Sequence, residues 1–273
     1  SISSVNWSHS SFMANREAGV VLSGAGAAPL VEFAEDVFEF DWKQGAAYPV
    51  NNSYSKDDLK TIQDPSYHDP GVPSPPVISG AYQTPTDPKP IVSQQKVQVY
   101  VGPDFARDTM LSDIKSAKTS VELFIYQVTD AGLCNELESL FKKGVNVTML
   151  VSSAIYSYTD SHLAASCYEQ LRKAGYTPQL TPSYYVYSHQ KYWIVDGKSI
   201  GLCTGNWSPT DYAPVTDPDG TYPPYSSKYW QDVNRDYSVH LADPEVVAVF
   251  QKTFQEDYRR GSSYYEGWPN SGR

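Results

Sequence analysis

Apolar and polar positions divide the second part of the chain into a regular series of elements. Val97 to Val101 gives a short strand signal, Phe105 to Ala117 a helix, and Val121 to Val128 the continuous apolar run of a strand covered on both faces. Leu133 to Lys143 has amphipathic helical spacing and stops at Gly144, Val145 to Ser152 reads as the next strand, and His162 to Ala174 as a helix stopped by Gly175. Strands over Tyr192 to Val195 and Ile200 to Thr204 follow, joined by Asp196-Gly197-Lys198, a composition suited to a hairpin turn. After the apolar stretch Ser238 to Leu241, Asp243-Pro244 opens a helical run from Val246 to Phe254. The alternation predicts an α/β fold built on a mixed β-sheet with helices on both faces.

Part of this series occurs twice. Ser3-Ser4-Val5-Asn6-Trp7-Ser8 returns as Cys203-Thr204-Gly205-Asn206-Trp207-Ser208, and Asn15-Arg16-Glu17 returns as Asn234-Arg235-Asp236. Each triplet leads into an apolar stretch, with a first-copy strand expected over Glu17 to Leu22, and then into a proline-opened helical run, Val31 to Phe40 after Pro29 in the first copy. The turn Gly24-Ala25-Gly26 is accounted for as this strand-to-helix connection, because a dinucleotide fingerprint needs a third glycine. Residues 1–45 therefore read as the C-terminal end of a first half and residues 95–273 as a complete second half. Residues 46–94 hold most of the prolines, from Pro49 to Pro90, and read as a connector.

Composition narrows the partners. The 273 residues include 21 Lys plus Arg against 31 Asp plus Glu, a net charge of −10 that opposes attraction to the phosphates of duplex nucleic acid. Twenty-two tyrosines and six tryptophans suit a surface meeting lipid headgroups or sugars, and equally a core stiffened by rings. No apolar run approaches the ~20 residues that span a bilayer. Of three cysteines, Cys203 lies inside the repeated motif, leaving Cys134 and Cys167 as a candidate disulfide or as free buried thiols. Asn-x-Ser/Thr sequons occur at Asn6, Asn51, Asn146 and Asn206, with Asn51 the expected glycan acceptor in a secreted protein. An acidic, Tyr- and Pro-rich chain leans toward a secreted or vacuolar/lysosomal location. No His/Cys/Asp cluster has metal-ligand spacing, so chemistry without a metal or cofactor is expected.

The segment His189 to Asn206 resembles the HxK(x)4D(x)6GSxN signature of the phospholipase D superfamily. His189, Lys191, Asp196 and Asn206 hold its fixed positions, Cys203-Thr204 stand in for Gly-Ser, and Ser3 to Asn6 match the tail of a second signature. The resemblance implies two duplicated halves that abut at the active site, each supplying one His-x-Lys motif. It also implies a covalent phosphohistidine formed by the first motif's histidine, with His189 as general acid and then base. The counterpart of His189 for the first copy would precede Ser1. The expected partner is an N-terminal fragment of the same precursor, cut in the first motif's hairpin and held by the strand at Ser1.

The residue types suit phosphodiester chemistry. His189 and Lys191, two apart on an extended backbone, project from one face toward one phosphate. Lys191 supplies charge and Asn206 directional donors, with Asn6, Ser4 and Thr204 as further phosphate-binding candidates. The imidazole of His189 can give or take a proton. Glu17 and Asp236, the acids of the two triplets, can each orient a catalytic histidine, or the triplets can anchor strand ends through salt bridges of Arg16 and Arg235. Asp196 counts among the catalytic candidates through the signature, although its position favours closing the hairpin. The insertion Pro209 to Gln231, with Tyr212, is either a recognition loop over the pocket or a surface excursion. His162 and His240 have no partner at informative spacing.

Three functions fit: a phospholipase D-type phosphodiesterase acting on phospholipids or related diesters, with a membrane surface among its partners; a single-strand nuclease of the same superfamily; and a noncatalytic member that kept the fold.

Overall fold

A computed structural model describes residues 1–44, 91, 93–104, 106–213, 233–265 and 268–269. Asn51, nearly all of the Pro-rich connector and the insertion from residue 214 to 231 lie outside the described residues. Residues 1–21 share a compact unit with the described residues from Ile91 onward, and Leu22 to Gln44 belong to a second unit.

The first unit opens with a two-stranded antiparallel pair, β1 (Ile2–Ser3) and β2 (Gly19–Val20), around the short helix α1 (His9–Met13). The second unit contributes a 3-10 turn, Ala25–Ala27, running into α2 (Ala28–Gln44), with Pro29 in its first turn as the sequence predicts. The remaining elements are β3 (Val97–Val101), α3 (Ala106–Lys115), β4 (Ser120–Ile125), α4 (Ala131–Lys142), β5 (Asn146–Val151), α5 (Tyr158–Lys173), β6 (Gln179–Leu180), β7 (Lys191–Val195), β8 (Ser199–Cys203), β9 (Tyr237–Leu241), α6 (Pro244–Arg260) and β10 (Ser262–Ser263). Among the described residues they form an eight-stranded mixed sheet in the order β10-β6-β5-β4-β7-β8-β9-β3. β4, β5 and β6 run parallel, and β7 to β9 return antiparallel beside them.

Both faces of this sheet are buried. Val121, Leu123 and Ile125 of β4 enter one core with Met110, Ile114, Leu137 and Leu171 from α3, α4 and α5. Phe124 points the other way, onto Tyr192 and Phe254 of α6, as period-two alternation requires. Cys134 and Cys167 form a disulfide joining α4 to α5, while Cys203 is free and buried. No helix among the described residues is long and apolar enough to cross a membrane.

Two boundaries differ from those predicted. α5 begins at Tyr158 rather than His162, because Ser157 caps it: its side chain accepts from the Asp160 amide. β2 is confined to Gly19–Val20 rather than running from Glu17 to Leu22. Its repeat β9 extends over five residues between two neighbours, whereas β2 pairs only with the two residues of β1 among the described residues.

Candidate active site

His189 is held from both sides by residues of the first copy. Arg16 N donates to Tyr187 O (2.9 Å) and His189 N to Arg16 O (2.8 Å), a short parallel bridge that delivers Glu17 to the imidazole. Nδ1 of His189 lies 2.9 Å from Ser4 O and 3.2 Å from Glu17 Oε2. Both neighbours accept, so Nδ1 carries the hydrogen and Nε2 is left for chemistry. Nε2 faces Lys191 Nζ at 2.9 Å, and the same ammonium donates to His189 O at 2.9 Å. The His189 and Lys191 side chains thus share one face, as their spacing predicts. The ring of Tyr126 packs edge-on against His189 with centroids 4.9 Å apart, and Lys191 Nζ lies 5.6 Å from its centroid.

Electrostatics follow from burial. Lys191 is 1% exposed, and that burial pushes its ammonium down to about 8 despite the opposing charges of Glu17, Asp211 and Asp236. Burial alone would raise the Glu17 carboxyl, but its bond and charge contact with His189, helped by Ser4 and Asn15, hold it below its ordinary value.

The repeat is kept in atomic detail. Ser4 Oγ donates to Glu17 Oε2 at 2.6 Å and accepts from Ala18 N at 3.0 Å; Thr204 Oγ1 donates to Asp236 Oδ1 at 2.6 Å and accepts from Tyr237 N at 3.0 Å. The copies differ in what the acid then meets. Glu17 serves His189, whereas Asp236 Oδ2 is buried and meets no donor among the described residues. Burial, followed by the nearby charge of Asp211, pushes the Asp236 carboxyl up to about 6. Gly205 passes so close to Asp211 and Asp236 that a Cβ there would stand 2.8 Å from both side chains, so no larger residue fits between them.

A cleft of about 400 Å³ opens over this centre, lined by Asn6, Tyr126, Tyr156, Asp160, His189 and Asn206 among others. Asn6 and Asn206 thus reach it together. The Oδ1 of Asn206 is buried without a partner among the described residues, and the backbone N–H of Asn206 donates to Asp211 Oδ2 at 2.6 Å.

Several expected placements are corrected. Ser4 and Thr204, expected on phosphate, spend their hydroxyl protons on Glu17 and Asp236 and so position the acids. Asp196, counted among the catalytic candidates, sits at the far end of β7 from Lys191. There it accepts from Thr119 N (2.8 Å), Ser120 N (2.9 Å), Lys118 N (3.0 Å) and Thr119 Oγ1 (2.8 Å). Those bonds outweigh its burial and hold its carboxyl well below the ordinary range. With Asp196 and Gly197 both at positive φ, the hairpin is of type I′ character. Tyr212, expected over the pocket, is 2% exposed, with its hydroxyl 3.1 Å from Ser238 Oγ. Both readings of the Asn-Arg-acid triplet find a place, because Arg16 pairs with Asp257 at 2.9 Å and Arg235 with Asp104, leaving the acids to the centre. His240 has a partner after all, Asp113 at 3.2 Å, outside the cleft.

Sequence reasoning missed Asp211 and Tyr126. Asp211 had a signal: it aligns with Ser11, the one position where the second copy puts a carboxylate in place of a hydroxyl. Tyr126 had none, since it is one aromatic in an apolar strand.

Residues 110–258, more than half of the chain, match the family described as "Cardiolipin synthase, PLD-like domain". The chain belongs to the phospholipase D-like superfamily. Within this phosphodiesterase superfamily it is 26% identical over 145 residues to mitochondrial cardiolipin hydrolase of Danio rerio, 53% of each protein, so it spans about half the length of that curated relative. Among solved structures it resembles Nuc, a phospholipase D family member from Salmonella typhimurium. That likeness has 20% identity and a TM-score of 0.50, covers 63% of this chain and 99% of Nuc, and is one of fold. NucT from Helicobacter pylori is similar at 20% identity and TM-score 0.44, over 62% of this chain and 99% of its own.

Proposed function

We propose that the protein is a phosphodiesterase of phospholipase D type that hydrolyses phospholipids or related phosphodiesters, with its active site completed by a second His-x-Lys motif from another half. The observation carrying this reading is the mirrored pair of acids. Glu17 of the first copy orients His189 of the second, while Asp236, set in the same Ser/Thr-acid geometry, has a buried oxygen that no donor among the described residues reaches. A histidine N–H is the donor that symmetry asks for, and an oxygen left unsatisfied costs roughly 1–3 kcal/mol.

On this reading Lys191 and Asn206 neutralise the nonbridging oxygens, and the incoming histidine attacks phosphorus. His189 enters this step as the imidazolium, with Nδ1–H held by Glu17 and a second proton taken up from solvent on Nε2, and passes that Nε2 proton to the departing alkoxide. His189 then takes a proton from water as that water displaces the phosphorus from the histidine nitrogen, and Glu17 stabilises the imidazolium at each turn.

The surface around the first copy supports the same partner. Trp7 is 98% exposed and Phe12 68%, whereas their repeats Trp207 and Tyr212 are 1% and 2% exposed within their own half. A second copy of this chain fits less well: it would bring another His189 already served by its own Glu17 and leave both Asp236 residues unserved. The expected partner is another half that carries its own His-x-Lys motif. The disulfide supports a secreted or vacuolar/lysosomal setting.

Denaturing mass spectrometry of protein from its native source tests the partner; a second polypeptide carrying His-x-Lys-(x)4-Asp is expected. The assembled enzyme is expected to cleave phosphatidylcholine, and His189→Ala to abolish this. Cleavage of single-stranded oligonucleotide alone would replace the lipase reading with the nuclease one. Activity unaffected by His189→Ala would overturn both.

A further inference from the structure

The fold sorts the Asn-x-Ser/Thr tripeptides of the chain by what surrounds them. Asn6 and Asn206 line the cleft over His189, where an oligosaccharide on either side chain would fill the space a substrate needs, and Trp207, beside Asn206, is 1% exposed. Asn146-Val147-Thr148 is placed otherwise.

Asn146 opens β5 directly after the turn that ends α4. Gly144, at φ 87°, reverses the chain there, and a Cβ added to it would meet no described atom within 4 Å, so the turn stands in open space. Val145 and Val147, 8% and 3% exposed, turn into the core; period-two alternation sends Asn146 to the other face, where it is exposed. Its backbone is fixed, with Asn146 N donating to Thr119 O at 2.9 Å and the residue paired with Ser120 of β4. Ser120 O in turn accepts from Asp196 N at the β7–β8 turn. It is Ile125, at the other end of β4, that pairs with Lys191, so about 16 Å of strand separate Asn146 from the His189–Lys191 pair.

We propose that Asn146 carries an N-linked oligosaccharide. The inference rests on the secreted or vacuolar/lysosomal setting drawn from the Cys134–Cys167 disulfide, because the transfer takes place in the lumen where such bonds form. The co-reactant is a lipid-pyrophosphate-linked oligosaccharide. The side-chain nitrogen of Asn146 bonds to its anomeric carbon and gives up one proton; the bond from that carbon to the pyrophosphate oxygen breaks, and the lipid pyrophosphate leaves with the electron pair. Thr148 supplies the hydroxyl that completes the acceptor tripeptide. A glycan at this end of the sheet extends into solvent and leaves the cleft open, so the modified protein keeps a usable active site.

Glycopeptide mapping of the protein from its native source tests this. An oligosaccharide on Asn146 is expected in most molecules, and peptide-N-glycosidase is expected to release it and leave an aspartate at the position. In the source cells Thr148→Ala should abolish occupancy and Thr148→Ser preserve it, a pair that separates loss of the tripeptide from a change in folding at that position. Removal of the glycan should change kcat of the assembled enzyme by no more than about twofold, the usual scale of a change at an exposed position. A bare Asn146 in protein whose Cys134–Cys167 bond is formed would overturn the site and leave the compartment reading standing. A bare Asn146 with both cysteines recovered as thiols would overturn the two together.

Discussion

On the proposed mechanism Lys191 must remain an ammonium to neutralise a phosphate, yet it is buried and its proton is held only to about pH 8. A group whose pKa is lowered carries charge below that value and loses it above. The kcat/KM of the assembled enzyme is therefore expected to fall as pH rises through about 8, in a pH–rate profile with a matching alkaline limb. Replacing the residue with Met should cost about 10²–10³-fold in kcat, the usual loss when one charge-stabilising group is removed from a transition state. Asp236 poses the opposite problem. Its folded pKa, about 6, lies above the unfolded value near 4. The folded chain thus binds the extra proton across that window, and stability falls as pH rises from about 4 to 6. Asp236→Asn removes the buried charge and is expected to stabilise this chain by an amount on the order of 1 kcal/mol at pH 7.5, with the gain vanishing below about pH 4. Paired denaturant melts at the two pH values check it.

At the scale of elements, the β7–β8 hairpin and the first strand of the parallel segment are joined through one side chain. Asp196 accepts four bonds from residues 118–120, which lead into and open β4, so the turn registers β7 against β4 as well as against β8. Asp196→Ala should lower stability by about 2 kcal/mol, because several charge-assisted bonds are lost where water can partly replace them. kcat at permissive temperature should stay within a few-fold, because Asp196 stands at the far end of β7 from the His189–Lys191 pair. Thermal melts alongside initial rates separate this from a catalytic role. The same hairpin shows why the sheet was legible. Asp-Gly at a two-sided apolar boundary specifies a turn, and Gly144 and Gly175, both at positive φ, end their helices where the sequence puts them. The start of α5 was not legible because Ser157 is embedded in an aromatic run, where capping competes with strand propensity. Nor was the extent of β2, which depends on how many neighbours it has. In the site, the repeat announced Glu17 and Asp236 as equivalents. What escaped was their difference, because only the fold brings Glu17 against a histidine 172 positions away.

At the scale of the whole molecule, the first copy exposes what the second copy buries. Trp7, Phe12 and Met13, at 98%, 68% and 71% exposure, repeat as Trp207, Tyr212 and Ala213, all nearly inaccessible. Trp207 is buried by packing against Trp193 of β7 in its own half. A partner presenting a sheet like β7–β8 would thus remove several large apolar groups from water at once, each contributing about 1.5–3 kcal/mol when fully covered. Charge adds little to such a contact, so its strength should depend weakly on salt. The isolated chain is expected to bind a hydrophobic dye and to self-associate, and both should diminish on adding a fragment that carries the first His-x-Lys motif. Trp7→Ser with Phe12→Ser should lower dye binding and weaken capture of that fragment by about 10²-fold or more. His189→Ala should leave capture nearly intact, since His189 meets Glu17 and Ser4 within the chain. Light scattering and titration of the labelled fragment read both effects. If the double substitution leaves fragment binding unchanged, the exposed face is not the one on which the other half sits.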